Sequence, residues 1–94
     1  MAKRVKISVT QDHIENGFYG LCDGCPVALA LKEAGYHKPY VSAKVLAFGY
    51  TRATGLDSIP KEKLIPLPRS AQKFIRNFDA ESKVEPFNFF LELK

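Results

Sequence analysis

The chain has 94 residues, 46% of them hydrophobic and 26% charged, with 14 Lys and Arg against 10 Asp and Glu, two cysteines and no tryptophan. That apolar fraction excludes a disordered or collagen-like chain, and the length suits one domain, residues 1–94, with a modest core that needs no disulfide or metal to form. The formal charge of +4 is spread evenly, six basic and four acidic groups in residues 1–47 and eight and six in residues 48–94, so there is no basic tail or block.

Residues 3–9 place Val5, Ile7 and Val9 on one face and Arg4, Lys6 and Ser8 on the other, the period of a half-buried strand. Thr10 is suited to cap a short helix over residues 11–16, with Ile14 as its apolar contact and Gly17 as a left-handed stop. Residues 18–24 read as irregular. Pro26 then opens a helix of almost wholly apolar composition that Gly35 closes, so this helix is expected to be packed on more than one side.

Residues 40–51 read as a long strand with Val41, Ala43, Val45 and Ala47 on one face and Leu46, Phe48 and Tyr50 on the other. Residues 52–57 form a turn. Residues 56–67 are weakly extended, and Pro60, Pro66 and Pro68 bar them from a central strand, because each lacks a ladder donor. Ser70 reads as the cap of an amphipathic helix ending near Asp79, with Leu67, Ala71, Phe74, Ile75 and Phe78 on its apolar face. Residues 84–93 alternate as a last strand, with Phe87, Phe89, Leu91 and Leu93 opposite Asn88, Phe90 and Glu92.

The expected fold is therefore α+β, a mostly antiparallel three- to four-stranded sheet with helices packed on one face, in the order β-α-α-β-(β)-α-β. No apolar run approaches the roughly 18–20 residues that cross a bilayer, and residues 1–10 do not form a signal peptide. The expectation is a cytoplasmic protein with reduced thiols and no membrane partner.

Cys22-Asp23-Gly24-Cys25 before Pro26 is the sharpest local motif. Two thiols so spaced can hold one metal ion or act as a redox pair at a helix start, where the helix dipole lowers the nearer thiol's pKa. Zinc would need two further ligands. His37 lies a helix length away, roughly 14 Å, so the candidate set is Cys22, Cys25 and His13, completed by Asp12 or Asp23. Structural buried thiols are the simpler reading, and no cofactor is then required. There is no phosphate-binding glycine loop and no oxyanion-hole signature, so no catalytic residue is assigned.

Two binding readings remain. Nucleic acid or a nucleotide could be held by Lys3, Lys6, Lys44 and Arg76, with Arg4 near by and Phe48 and Tyr50 as stacking faces. A protein partner, or a second copy in a homodimer, is better supported, because Leu46, Phe48, Tyr50 and an outward Phe90 make strand faces more apolar than solvent requires. The contact set is then Phe48, Tyr50 and Phe90, rimmed by Lys44 and Arg52.

The series Ile7-Ser8-Val9-Thr10, His13-Ile14, Gly17 and Cys25-Pro26-Val27-Ala28-Leu29-Ala30-Leu31, followed by Phe74-Ile75 and Pro86-Phe87, resembles small uncharacterised proteins of bacteria and their phages. The resemblance implies a compact intracellular protein with no assigned activity. By analogy with phage accessory proteins, the expected function is a small non-enzymatic binding protein, of the kind that inhibits a host system through a protein interface. The alternatives are the nucleic-acid or nucleotide binder and a zinc-binding module on the Cys22–Cys25 turn.

Overall fold

The computed structural model describes residues 3–18, 23–50 and 53–93. In chain order the elements are β1 (Lys3–Val9), α1 (Gln11–Asn16), α2 (Pro26–Glu33), β2 (Pro39–Val41), β3 (Val45–Phe48), 3-10 turns at Leu56–Ser58 and Lys61–Lys63, β4 (Ile65–Pro66), α3 (Arg69–Asp79) and β5 (Phe87–Leu93). The fold is α+β with antiparallel pairing throughout, in roughly the order expected, with two strands where one was expected after α2.

The strands form two sheets. β1 and β5 make a two-stranded antiparallel ribbon, with Lys3 opposite Leu93 and Val9 opposite Phe87. The register sets Ile7 against Phe89 and Val5 against Leu91, so the two alternating patterns bury the same face. The second sheet has the order β2-β3-β4.

That second sheet exists because the long strand expected over residues 40–51 is instead a hairpin. Ser42 closes a two-residue loop: its N–H donates to the Val45 carbonyl at 2.8 Å, its hydroxyl donates to the same carbonyl at 2.9 Å, and the Val45 N–H donates to Ser42 Oγ at 3.2 Å. β4, confined to two residues as its proline demands, adds at the edge of β3. The Leu67 N–H donates to the Lys44 carbonyl at 2.9 Å and ties the following residues to the hairpin loop.

One core joins both sheets and the helices. Ile7, Val9, Phe89 and Leu91 from the ribbon meet Val27, Ala28 and Leu31 of α2, Val41 and Leu46 of the hairpin, and Ala71, Phe74, Ile75 and Phe78 of α3. Burying a side chain such as Leu31 or Leu46 fully stabilises the fold by roughly 1.5–3 kcal/mol. A smaller cluster of Tyr40, Ala47 and Ile59 covers the opposite face of the three-stranded sheet, with Tyr50 and Leu64 packed against it.

Two local expectations are corrected. Gly17 does follow α1, but its backbone is extended (φ −80°, ψ 157°), so it is no left-handed stop. Glycine is needed there for space, since a Cβ would lie 2.6 Å from Pro26 Cδ. Ser70 is not the cap of α3, because the helix already begins at Arg69 after Pro68. Its buried face of Ala71, Phe74, Ile75 and Phe78 is the one expected.

Candidate functional site

Strand alternation turns Phe89 and Leu91 into the core and leaves Phe90 on the outer face of the ribbon, 45% exposed. The outer face also carries Arg4, Lys6, Ser8, Asn88 and Glu92, all exposed. The Arg4 guanidinium lies 4.4 Å from the centre of the Phe90 ring, a cation–π contact. Arg4 stands opposite Glu92 in the register.

Glu92 also borders a groove of about 730 Å³. Its aromatic part is Tyr36 and Phe48, whose rings stack at 5.0 Å with 19° between their planes. The end of α2 places Tyr36 there: Gly35, at φ +99°, turns the chain, its N–H donates to the Lys32 carbonyl and the Tyr36 N–H donates to the Leu31 carbonyl. Leu64, Ile65 and Pro66 line the groove further, and Glu62 and Lys63 bring charge from the second 3-10 turn. Phe90 and Glu92 are two residues apart on one strand face, roughly 7 Å, so the exposed ring and the groove belong to one surface.

The expected contact residues are divided by this geometry. The Leu46–Phe48 face expected to await a partner is covered by the fold itself, with Leu46 wholly buried in the core and Phe48 packed partly against it; Phe48 still lines the groove, and Phe90 stands beside it. Tyr50 packs instead with the small cluster on the far face, since Gly49, at φ +89°, interrupts the alternation after β3. Lys44 is exposed in the hairpin loop and does not line the groove. Arg52 lies outside the described residues. Tyr36 and Glu92 were not picked out as contacts by the sequence; the one available signal for Tyr36 was its place directly after the helix-closing Gly35. For the nucleic-acid reading, Lys6 on β1, Lys44 in the hairpin loop and Arg76 on α3 are exposed, and the side chain of Lys3 is outside the described ones.

Of the metal candidates, Cys22 lies outside the described residues. Cys25 is buried and unbonded to another cysteine. Burial pushes its thiol up to about 11 from an ordinary 9.0, against the opposing pull of the Ala28 and Val27 N–H groups and with the Asp79 carboxylate adding to the rise. His13 is buried with both ring nitrogens engaged. Nδ1 accepts the Thr10 N–H at 3.0 Å, and Nε2 lies 2.6 Å from Glu33 Oε2. The acceptor role of Nδ1 assigns the proton of the neutral ring to Nε2, which donates to the carboxylate. Thr10 Oγ1 in turn accepts the His13 N–H at 3.4 Å, so His13 fills the capping-box position usual for Glu or Gln. The hydroxyl–imidazole–carboxylate series is thereby explained as a helix cap joined to a link between helices. His37 is exposed beyond α2. Among the described residues, no three His, Cys, Asp or Glu side chains are grouped to hold a metal ion.

Among the described residues no helix is long and apolar enough to cross a membrane. Comparison with protein-family models, curated proteins and solved structures finds no match, so the resemblance to small bacterial and phage proteins rests on the residues quoted for it.

Proposed function

We propose that this chain is a small non-enzymatic binding protein, and that a partner protein docks on the surface running from Phe90 across Arg4 and Glu92 into the Tyr36–Phe48 groove. The observation that carries the reading is Phe90: a large apolar ring held open on a regular sheet face, with an arginine laid over it. Aromatic and arginine side chains are the types enriched at the centres of protein interfaces. The groove beside it falls within the roughly 300–1,000 Å³ of sites that accept a ligand or an inserted side chain. Its charged residues are two carboxylates, Glu62 and Glu92, against one ammonium, Lys63, on a chain of net charge +4. A basic side chain from the partner suits that rim. By analogy with phage accessory proteins the partner is host machinery, and a second copy of the chain is the other candidate.

The test is affinity capture with the wild-type protein and with Phe90→Ala and Glu92→Lys, followed by titration calorimetry with the purified captured protein. Both substitutions are expected to weaken binding at least tenfold while leaving the fold intact. Unchanged affinity in both would sink the reading. Light scattering at twice the chain mass, lost in Phe90→Ala, would name a second copy as the partner.

A nucleic-acid reading keeps one specific observation in its favour, the stacking face of Phe90 between Arg4 and Lys6 on the ribbon. A gel shift that weakens with added salt and disappears in Phe90→Ala would favour it over the protein interface.

A further inference from the structure

A second concavity lies away from the proposed docking surface and shares no lining residue with it. One wall is a single face of α3: Ser70, Lys73, Phe74 and Asn77 follow the i, i+3, i+4, i+7 spacing. The other is the chain that returns along the helix towards β5. A turn at the end of α3 makes that return, with the Glu81 N–H donating to the Phe78 carbonyl at 3.0 Å and the Ser82 N–H to the Asn77 carbonyl at 2.9 Å. Lys83 is thereby brought to the same hollow as Lys73.

The base of the hollow is aromatic. The Phe74 and Phe87 rings stack with centres 4.7 Å apart and planes 28° from parallel, and the partly buried Val84 extends the apolar surface. The volume is about 420 Å³, at the small end of the range for small-molecule sites. Neither Lys73 nor Lys83 forms an ion pair with a described residue. Ser70 and Asn77 add neutral hydrogen-bonding groups, and Glu85 is the one carboxylate in the lining. Two lysines lining one hollow with a stacked aromatic pair call for a ligand with negative charge at one end and a flat apolar body at the other.

We propose that this pocket binds a small aromatic anion, a ring bearing a phosphate or carboxylate group, with the ring against Phe74 and Phe87 and the charged group between Lys73 and Lys83. The negative charge distinguishes it from the basic side chain suited to the groove, so the two sites would bind different chemistry.

The test is an amide NMR titration of the full chain with phenyl phosphate, compared with inorganic phosphate and with phenol, each to about 10 mM. Phenyl phosphate is expected to shift the amides of residues 70–77 and 83–87 saturably, at least tenfold more tightly than either half-molecule. The double variant Lys73→Gln/Lys83→Gln should weaken it tenfold or more, and Lys6→Gln should not. Absence of shifts at those amides, equal binding of inorganic phosphate, or unchanged affinity in the double variant overturns the proposal. Adenosine monophosphate and a short oligothymidylate separate the sources of such a group: tighter binding of the oligonucleotide at these amides would assign the pocket to a nucleic-acid strand and remove the small-ligand reading.

Discussion

His13 Nε2 and Glu33 Oε2 lie 2.6 Å apart, joining α1 to the last residue of α2. The contact is lopsided, because the imidazole is buried while Glu33 is 73% exposed at its side chain. A carboxylate at a helix C-terminus is unfavourably placed against the helix dipole, and the imidazole N–H offsets that. The other ring nitrogen completes the cap of α1, so one side chain secures two helix ends.

Replacing His13 by Ala should therefore cost more than replacing Glu33 by Ala. His13→Ala removes the reciprocal cap bond, leaves the Thr10 N–H without its acceptor and opens a buried space, for an expected loss of about 2 kcal/mol. Glu33→Ala leaves the cap in place and removes an exposed partner, for about 0.5 kcal/mol. Urea unfolding of the two variants checks the order, and equal losses would show that the link between helices, not the cap, dominates.

Gly17→Ala should be among the more damaging small substitutions. The added methyl would meet the Pro26 ring at 2.6–2.8 Å, and that ring opens α2 within the buried region. A loss of about 2 kcal/mol or more is expected from the forced separation of α1 and α2. Thermal unfolding measures it, and a Tm within a degree of wild type would refute the close contact.

The ends of α2 and α3 share one hydrogen-bonding pattern but not one residue type. Gly35 occupies the left-handed position after α2 at φ +99°, whereas Glu81 occupies it after α3 at φ +59°. Glu81→Gly should stabilise the protein by about 0.5–1 kcal/mol, since the left-handed conformation costs glycine nothing extra. Gly35→Ala should destabilise by about 1 kcal/mol. Chemical denaturation of both variants gives opposite signs if the backbone conformation governs.

Cys25 makes stability fall at alkaline pH. Its thiol ionises near 11 in the fold against an ordinary 9.0, so the folded state holds the proton that the unfolded chain releases first. The contribution is complete below pH 9 and is lost as pH rises through about 11, by about 2–3 kcal/mol in all. The difference between wild type and Cys25→Ala across pH 8–11 isolates it from the other titrating groups. In a Cys22→Ser background, iodoacetamide at pH 8 should alkylate Cys25 about 100-fold more slowly in the folded protein than in urea.

Phe90→Ala should leave stability within about 0.5 kcal/mol of wild type, because the ring is exposed and its main described contact is Arg4. Phe89→Ala, one residue away but buried, should cost about 3–5 kcal/mol. Paired thermal scans of the two variants test which face of β5 serves the core.

Regular alternation and helical spacing made β1, α3 and β5 legible, since Val5, Ile7 and Val9 or Phe74, Ile75 and Phe78 declare their buried faces by position alone. The hairpin was not legible in the same way. Ser42-Ala43-Lys44-Val45 contains none of the glycine or asparagine that usually marks a two-residue turn, and the Ser42 side chain that closes it leaves no periodic trace. Gly49 then separates Tyr50 from Phe48, a backbone event that a strict period of two cannot anticipate. At the candidate site, Phe90 stood out as apolar on an outward face, whereas Phe48 lies on the face of the buried Leu46 and is itself packed partly buried against the core. Their neighbours Tyr36 and Glu92 did not stand out, because the groove forms only where the end of α2, the hairpin, the proline-containing segment and β5 converge.

The β1–β5 ribbon also sets an order of events for folding. Residues 10–86 separate its two strands, so β5, the partner of β1, leaves the ribosome only after the helices and the hairpin. Until then Val5, Ile7 and Val9 stand on a strand with no partner, a template on which a neighbouring chain could pair. Local helices and the β2–β3 hairpin can form early at little loop-closure cost, whereas the ribbon joins distant parts of the chain and forms late. Arg4 and Lys6, alternating with those apolar residues, give the waiting strand a charged face of the kind that disfavours such edge pairing.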